Sequence, residues 1–332
     1  MSLRISVAGA GSWGTALADL LARAGHEVRL WAHEDAVATD IMERRENSVF
    51  LPGCALADGL TATTSLSDAL AGAQMALSAV PSHASREVFD RMRPLLPEGT
   101  ILACATKGIE TGTLKLMSDL GAELLPGHPF VALSGPSFAL EVHQGQPTAV
   151  VAAGEPEAAR QVQEAFATPR FRVYTQDDLI GVEVGGSLKN VIAIAAGVLE
   201  GLGMGHNPRA ALITRGLAEI TRLGIAMGGR RSTFAGLAGI GDLILTTSGG
   251  LSRNRSLGEA LARGETLAGW QGSHRNVAEG VNTTRAAVAL AARHQLELPI
   301  AQEVHAVLFE GKAPPQAVAD LMERDLKPEL DG

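Results

Sequence analysis

A glycine-rich turn near the amino terminus constrains the fold of this 332-residue chain more than any other feature. Residues 3–8 have the pattern of a short strand, and residues 9–14 then read GAGSWG. A helical pattern over residues 15–24 and a second strand pattern over residues 27–32 complete a βαβ unit. Because such glycines let a pyrophosphate approach the backbone at a helix amino terminus, this order predicts a dinucleotide site.

The first half of the chain alternates strand and helix patterns. Further strand patterns lie at residues 75–80, 100–105, 130–133 and 148–152, with helical patterns such as 85–92 and 157–166 between them. This alternation predicts an α/β fold with a Rossmann-type doubly wound sheet. Strand patterns become sparse after Tyr174. We therefore expect a dinucleotide-binding domain over residues 1–178 and an all-helical domain over residues 179–332, in which Asn207 caps one helix.

Composition excludes several classes of protein. The chain is 46% hydrophobic, and its formal charge of −8 provides no general basic field for nucleic acid. Two cysteines and nine scattered histidines give neither a disulfide framework nor metal-ligand spacing. The most apolar run, residues 191–199, is far shorter than the ~20 residues of a membrane span, and the amino terminus lacks a secretory signal. We expect a cytoplasmic protein without a membrane span.

Residues 181–199 predict a long buried helix that contains one lysine. Lys189 shares a helix face with Gly185 and Gly186, because these positions are three or four residues apart. Each glycine in a helix costs about 1 kcal/mol relative to alanine, so the pair indicates a surface that another group approaches closely. A lysine beside such a surface is a candidate proton donor. The alternative is a tightly packed helix whose lysine extends to water.

Loops at the carboxyl ends of the predicted strands carry candidate binding groups, because ligands of such sheets gather there. Lys107 directly follows the strand pattern at 100–105, where it can hold a phosphate or a carbonyl oxygen. An ordinary surface lysine is the alternative. The segment 134–139 is expected to cap the following helix through its serines or to present amides to an anion.

The helical half offers a second basic site. Ser252, Arg253, Asn254 and Arg255 begin a helix pattern, and two guanidinium groups and an asparagine beside free helix amides make a good phosphate site. A solvated basic turn is the alternative. Asp242 is a candidate partner for Lys189 or for a substrate hydroxyl, although aspartate near glycines more often caps a helix.

The end of the second strand commonly sets the choice between NAD and NADP. His33 stands there without an acid at the strand tip, which favours NADPH, and the neighbouring Glu34 keeps NAD open. A surface histidine without a role is the alternative. A nicotinamide site, a proton-donating Lys189 and a phosphate clamp together predict carbonyl reduction of a small phosphorylated molecule.

Six segments resemble motifs of bacterial NAD(P)-dependent glycerol-3-phosphate dehydrogenases. In order along the chain they are residues 9–18, 106–108, 134–139, 181–190, 236–243 and 252–255. The resemblance implies an enzyme that interconverts sn-glycerol 3-phosphate and dihydroxyacetone phosphate and supplies the glycerol phosphate of phospholipids. It assigns Lys189 as the proton donor or acceptor, and it is compatible with a homodimer.

The resemblance also implies roles for further residues. Those expected to contact substrate are Lys107, Gly135, Ser137, Lys189, Asp242, Ser252, Arg253 and Asn254. Those expected to hold the cofactor are Gly9, Gly11, Ser12, Trp13, Gly14, His33, Lys107, Ala139, Arg253, Val277 and Glu279. The chain departs from the family at Phe50, where tyrosine is frequent, and at residues 246–251, whose extra glycine is expected to loosen the loop that carries Arg253.

Two other functions compete with this interpretation. Dehydrogenases of the 3-hydroxyacid or 6-phosphogluconate type also pair a Rossmann domain with a helical one. Their lysine and asparagine are typically spaced apart, whereas Lys189 and Asn190 are adjacent here. A non-catalytic dinucleotide sensor would keep the glycine turn but would not need Lys107, Lys189 and Arg253 in one cleft.

Overall fold

The computed structural model describes residues 2–273, 277–326, 328 and 329. The strands among these residues form one sheet, and in chain order they are β1 (Arg4–Ala8), β2 (Glu27–Trp31), β3 (Leu60–Thr63), β4 (Met75–Ser78), β5 (Ile101–Cys104), β6 (Phe130–Ser134), β7 (Thr148–Gly154) and β8 (Phe171–Gln176). Their spatial order is β3-β2-β1-β4-β5-β6-β7-β8. Strands β1 to β6 are parallel, β7 is antiparallel to β6, and β8 is parallel to β7. The order of the first six strands is the Rossmann order, so the predicted sheet is confirmed.

Helices flank the sheet in the first half and make up the second half. In chain order they are α1 (Ser12–Arg23), α2 (Asp35–Arg44), α3 (Leu66–Leu70), α4 (Ser82–Met92), α5 (Met117–Leu124), α6 (Ala139–His143), α7 (Pro156–Phe166), α8 (Leu179–Gly201), α9 (His206–Ala226), α10 (Arg231–Phe234), α11 (Asp242–Ser248), α12 (Arg253–Ala262), α13 (Leu267–Ser273), α14 (Glu279–Arg293), α15 (Pro299–Phe309) and α16 (Pro314–Met322). A short π-helix, Leu237–Gly241, directly precedes α11. The predicted helical character of the second half is confirmed.

Burial explains why the central strands read as continuous apolar runs. All four residues of β4 and of β5 are buried, because helices cover both faces of the sheet. Ile5, Val7 and Leu77 belong to the core on one side of these strands. A separate core in the helical half surrounds α8 and includes Leu188 and Ile192.

Helix α8 is the central element of the helical half. It packs against α9, α11, α12 and α14, and it also contacts β6. Residues 181–199 are buried apart from the half-buried Ala195, so the helix shows no single apolar stripe. By length and composition α8 could span a membrane, and 83% of its most apolar window is buried inside the protein. Its apolar sequence is therefore accounted for by its place in the core.

Two strands and one helix cap differ from the sequence-based expectation. Strand β3 has only four residues, and β8 is an edge strand in which the buried Phe171 and Val173 alternate with exposed residues. Neither forms the continuous apolar run by which the other strands were predicted. The predicted cap at Asn207 is wrong: α9 begins one residue earlier, at His206, after a Gly205 cap that needs no side-chain hydrogen bond.

Candidate active site

A cleft of about 890 Å³ lies at the carboxyl ends of the parallel strands, between the sheet and the helical half. This volume is in the range of about 300–1,000 Å³ that small-molecule sites usually have. The predicted site residues that line it are Gly9, Gly11, Ser12, Trp13, His33, Lys107, Ser137, Ala139, Lys189, Ser252, Arg253, Asn254, Val277 and Glu279. Gly14, Gly135 and Asp242 are not part of this lining; Gly135 and Asp242 lie behind it, where each accepts a hydrogen bond from Lys107.

The glycine turn forms a cradle at one side of the cleft. Gly9 has a φ of +111°, and a methyl group on it would lie 3.0 Å from the backbone of Ala79. A methyl group on Gly14 would lie 1.9 Å from the carbonyl oxygen of Gly9, so only glycine lets α1 start this close to the turn. The space beside Gly11 is open. Exposed backbone at the start of a helix fits a pyrophosphate, and these residues therefore fit a dinucleotide.

The cleft continues past the end of β2, where the structure adds residues that the sequence analysis missed. The guanidinium carbon of Arg91 lies 5.1 Å from the centroid of the Trp31 ring, which is within cation–π range. The Trp31 and His33 rings are 6.2 Å apart, and Arg91 lies 3.7 Å from the carboxylate of Glu87. Glu87 and Arg91 are four residues apart on α4, and this spacing was the signal that the sequence offered.

One buried carboxylate joins two lysines at the base of the cleft. Asp242 is fully buried, and its Oδ2 accepts a hydrogen bond from Lys107 Nζ at 2.8 Å while its Oδ1 accepts one from Lys189 Nζ. Lys107 reaches this point from the loop after β5 and also donates to the Gly135 carbonyl at 2.9 Å. Lys189 comes from α8 and donates to Thr246 Oγ1 at 2.7 Å. We call Lys107, Asp242 and Lys189 the Lys–Asp–Lys cluster.

Burial changes the acidity of the catalytic candidate. It lowers the pKa of Lys189 from 10.5 to about 7; the Asp242 charge opposes this shift and the Lys107 charge adds to it. A group with a pKa near the working pH can both release and accept a proton efficiently. The Lys189 side chain is only 8% exposed, so the alternative that it extends to water is wrong.

The adjacent glycines of α8 bring other parts of the protein against the helix. A methyl group on Gly185 would lie 2.6 Å from the carbonyl oxygen of Ala238 in the π-helix. One on Gly186 would lie 2.5 Å from Ser134 Oγ and 3.7 Å from Lys107 Cγ. The close approach that the glycines predicted is thus made by protein groups, which shield the Lys–Asp–Lys cluster from solvent.

The start of α12 forms the basic end of the cleft. Ser252 caps this helix with its hydroxyl, and Arg253 follows as the first helical residue, with Nη1 3.3 Å from the carbonyl of Val277. Asn254 Nδ2 donates to Asn190 Oδ1 at 2.9 Å, which connects α12 to the residue after Lys189. The structure thus brings the predicted phosphate site next to the helix that carries the lysine.

Glu279 connects the two halves across the cleft. Its carboxylate accepts hydrogen bonds from the backbone nitrogen of Ser82 at 2.9 Å and from the Ser82 hydroxyl at 2.5 Å. Burial raises the pKa of Glu279, and the Ser82 hydrogen bonds oppose that shift. The contact joins the start of α14 to the start of α4.

Three smaller expectations can be compared with the structure. The serines of residues 134–139 do not cap α6, whose cap is Phe138 without a side-chain hydrogen bond; Ser137 Oγ instead donates to the Gly135 carbonyl at 2.9 Å. Phe50 lines the cleft. In the glycine-rich loop, the Gly249 carbonyl accepts a hydrogen bond from Arg255 at 3.2 Å, so side-chain contact holds this loop.

Thr246 is a cleft residue that the sequence analysis missed. Its hydroxyl accepts from Lys189 and donates to the Asp242 carbonyl at 2.7 Å. It lies four residues after Asp242 on α11, and this i to i+4 spacing was the available signal. Among the described residues, no group of three or more His, Cys, Asp or Glu side chains is arranged to hold a metal ion.

The fold and the site together define the class of two-domain nicotinamide-dinucleotide dehydrogenases. A family model described as the NAD-dependent glycerol-3-phosphate dehydrogenase N-terminus matches residues 4–160, and its C-terminus counterpart matches residues 178–319. The chain belongs to the NAD-dependent glycerol-3-phosphate dehydrogenase family, as its motifs predicted.

Individual relatives agree with this membership. A protein of Citrifermentans bemidjiense named glycerol-3-phosphate dehydrogenase (NAD(P)+) is 54% identical over 333 residues, with 99% of each chain covered. A protein of the same name from Geobacter sulfurreducens is also 54% identical with 99% of each chain covered. The crystal structure of glycerol-3-phosphate dehydrogenase from Coxiella burnetii superposes with a TM-score of 0.94 at 42% identity, covering 97% of this chain and 99% of that chain.

Proposed function

We propose that this protein interconverts dihydroxyacetone phosphate and sn-glycerol 3-phosphate with NAD or NADP, and supplies glycerol 3-phosphate for phospholipid synthesis. The observation that carries the proposal is the buried Lys–Asp–Lys cluster, which lies between the dinucleotide cradle and the basic start of α12. The names of the full-length relatives support it.

The residues of the cluster divide the chemistry among them. A bound NADH or NADPH supplies the hydride that reduces the C2 carbonyl. Lys189 Nζ gives its proton to the carbonyl oxygen during reduction and takes it back during oxidation, which its lowered pKa permits. Asp242 holds Lys189 in place, and the charge of Lys107 stabilises the negative charge that develops on the oxygen.

The phosphate group of the substrate is proposed to bind at the start of α12. Arg253 supplies a guanidinium that binds phosphate oxygens in pairs, and the free amides of the capped helix add donors there. The remaining substrate contacts in the proposal are Gly135, Ser137, Ser252 and Asn254. The cofactor contacts in the proposal are Gly9, Gly11, Ser12, Trp13, His33, Lys107, Ala139, Arg253, Val277 and Glu279, and Gly14 supports them from behind the lining by letting α1 start close to Gly9.

Three further assignments belong to the same proposal. We propose NADPH as the preferred cofactor, since the cationic Arg91 lies in the same end of the cleft as His33. A division between residues 178 and 179 is supported by a core that lies wholly in the first half and a second core around α8, to which, among the described buried residues, the first half adds only Ile109 and Leu116. A cytoplasmic location and a homodimer complete the proposal, and light scattering of the purified protein measures the latter.

The decisive experiment follows nicotinamide absorbance with purified protein and dihydroxyacetone phosphate, using NADPH and NADH in parallel. We expect oxidation of the cofactor, with a higher kcat/KM for NADPH. The alternatives are tested with 3-hydroxyacids and 6-phosphogluconate in the oxidative direction. Activity with these compounds and none with dihydroxyacetone phosphate would contradict the proposal, and binding of the cofactor without any turnover would indicate a sensor.

A further inference from the structure

Helices α8 and α12 run side by side in the same direction and touch through their backbones. Asn254 on α12 is hydrogen-bonded to Asn190 on α8 at 2.9 Å. Four residues further along both helices, a methyl group on Gly258 would lie 2.0 Å from the carbonyl oxygen of Ile194. Moving four residues towards the carboxyl end of each helix leads from the first pair of contacting residues to the second, so the helices are parallel.

The contact is reciprocal and leaves no room for a side chain. A methyl group on Gly197 would lie 1.9 Å from the carbonyl oxygen of Arg255, and one on Gly258 would lie 2.9 Å from the Gly197 Cα. Carbon and oxygen atoms in ordinary contact are about 3.3–3.6 Å apart. To reach an ordinary contact distance, a side chain at either glycine would have to move these atoms apart by about 1.3–1.7 Å.

These two helices carry the two ends of the proposed substrate site. Lys189 lies on α8, eight residues before Gly197, and Arg253 is the first residue of α12, five residues before Gly258. Because a helix has about 3.6 residues per turn, the backbone contact lies about two turns from Lys189 and about one and a half turns from Arg253, and it fixes their relative position.

We propose that Gly197 and Gly258 are positioning residues that set the span between the proton donor Lys189 and the phosphate clamp at Arg253. The inference rests on the proposed function and deepens it, because this span selects a short phosphate ester. The binding energy of the substrate phosphate can accelerate reaction at the carbonyl carbon only when the phosphate reaches the clamp and the carbonyl reaches Lys189 at the same time. A misplacement of 1 Å in such an element can cost about 10²-fold in rate.

The test compares dihydroxyacetone phosphate with dihydroxyacetone, which lacks the phosphate, in NADPH-dependent reduction. For Gly258→Ala we expect kcat/KM for the phosphorylated substrate to fall about 10²-fold. We expect kcat/KM for dihydroxyacetone to stay within about 3-fold, because this substrate has no phosphate to bind at the clamp. The ratio of the two substrate efficiencies is independent of how much enzyme is folded, so a mere loss of stability leaves it unchanged.

Gly201→Ala is the matched control, because its methyl group would lie 2.6 Å from the Ala262 Cβ in the same helix pair but further from the site. We expect Gly201→Ala to lower Tm and to leave the ratio of the kcat/KM values for the two substrates as it is in the unmodified protein. Gly197→Ala is the second test variant and is expected to behave like Gly258→Ala.

Three outcomes would overturn the inference. The first is an unchanged ratio of kcat/KM for dihydroxyacetone phosphate to kcat/KM for dihydroxyacetone in Gly258→Ala. The second is an equally large fall of this ratio in Gly201→Ala. The third is failure of both Gly197→Ala and Gly258→Ala to fold, which would show that the contact serves stability. If the unmodified protein itself reduces both substrates equally or neither, the proposed function fails instead.

Discussion

The dinucleotide cradle and the Lys–Asp–Lys cluster use glycine in opposite ways. In the cradle, the open space beside Gly11 leaves backbone accessible to a ligand. In α8, Gly185 and Gly186 let Ala238, Ser134 and Lys107 pack closely against the helix that carries the buried Lys189. The first site is made of backbone and is local in sequence, whereas the second is made of charged side chains that must be buried together. Cofactor binding and chemistry are therefore expected to respond to different substitutions.

The largest effect is expected from Lys189→Ala, which removes the proton donor and leaves the cradle intact. We expect kcat to fall by about 10²–10⁴-fold, the usual range for loss of general acid–base catalysis. The Kd for NADPH, measured by titration of protein fluorescence, should stay nearly constant. Lys115→Ala, which removes a surface lysine paired with Glu123, is the control. Near-normal turnover in the Lys189 variant would show that another group transfers the proton.

Arg253→Ala separates the substrate clamp from the proton donor. A hydrogen bond to a charged group contributes about 1.5–3 kcal/mol, so we expect the KM for dihydroxyacetone phosphate to rise about 10- to 100-fold. The matched control is Arg263→Ala, just after the other end of α12, where the side chain is 62% exposed. An unchanged KM in steady-state kinetics would remove the phosphate site from the start of this helix.

The pH dependence distinguishes the buried cluster from the cradle. Reduction needs protonated Lys189, so kcat/KM for dihydroxyacetone phosphate should be level below about pH 7 and fall about tenfold per pH unit above it. Oxidation of glycerol 3-phosphate needs neutral Lys189 and should fall below the same pH. Cofactor affinity, measured in parallel, should stay level there. If reduction and oxidation changed with pH in the same sense, the pKa of about 7 would not belong to the group that transfers the proton.

The smallest effect is expected from His33→Ala at the cradle. Exposed charge interactions contribute about 0.2–1 kcal/mol, so the ratio of kcat/KM for NADPH to that for NADH should fall by roughly 1.5- to 5-fold. His206→Ala, at the start of α9, is the control. A proportional loss with both cofactors would mean that His33 does not distinguish them.

The sequence predicted the cradle well because all its determinants lie within about thirty residues of one another. A strand, a glycine turn, a helix and a strand are each recognisable from local patterns. Exposed residues interrupt β8, and only the first residue of β3 is buried, so neither gave a continuous apolar run and both strands were missed.

The contacts of the Lys–Asp–Lys cluster could not be predicted from local patterns. Lys107 and Asp242 are 135 residues apart, and only the docking of the helical half onto the sheet brings them together. The residue types were recognised, but their shared carboxylate and the help of Thr246 depend on tertiary packing. Burial, which lowers the pKa of Lys189, is likewise a property of the assembled fold.

The chain order of this cluster also matters while the protein is being made. Domains generally fold as units, with the amino-terminal one first during synthesis. We therefore expect the glycine turn of the dinucleotide cradle to form before Lys189, Asp242 and Thr246 have all emerged from the ribosome. A nascent or truncated chain that stops short of them contains a nucleotide-binding fold without its proton carrier. We therefore expect hydride transfer only after Asp242 and Thr246 have been translated and have docked against Lys189.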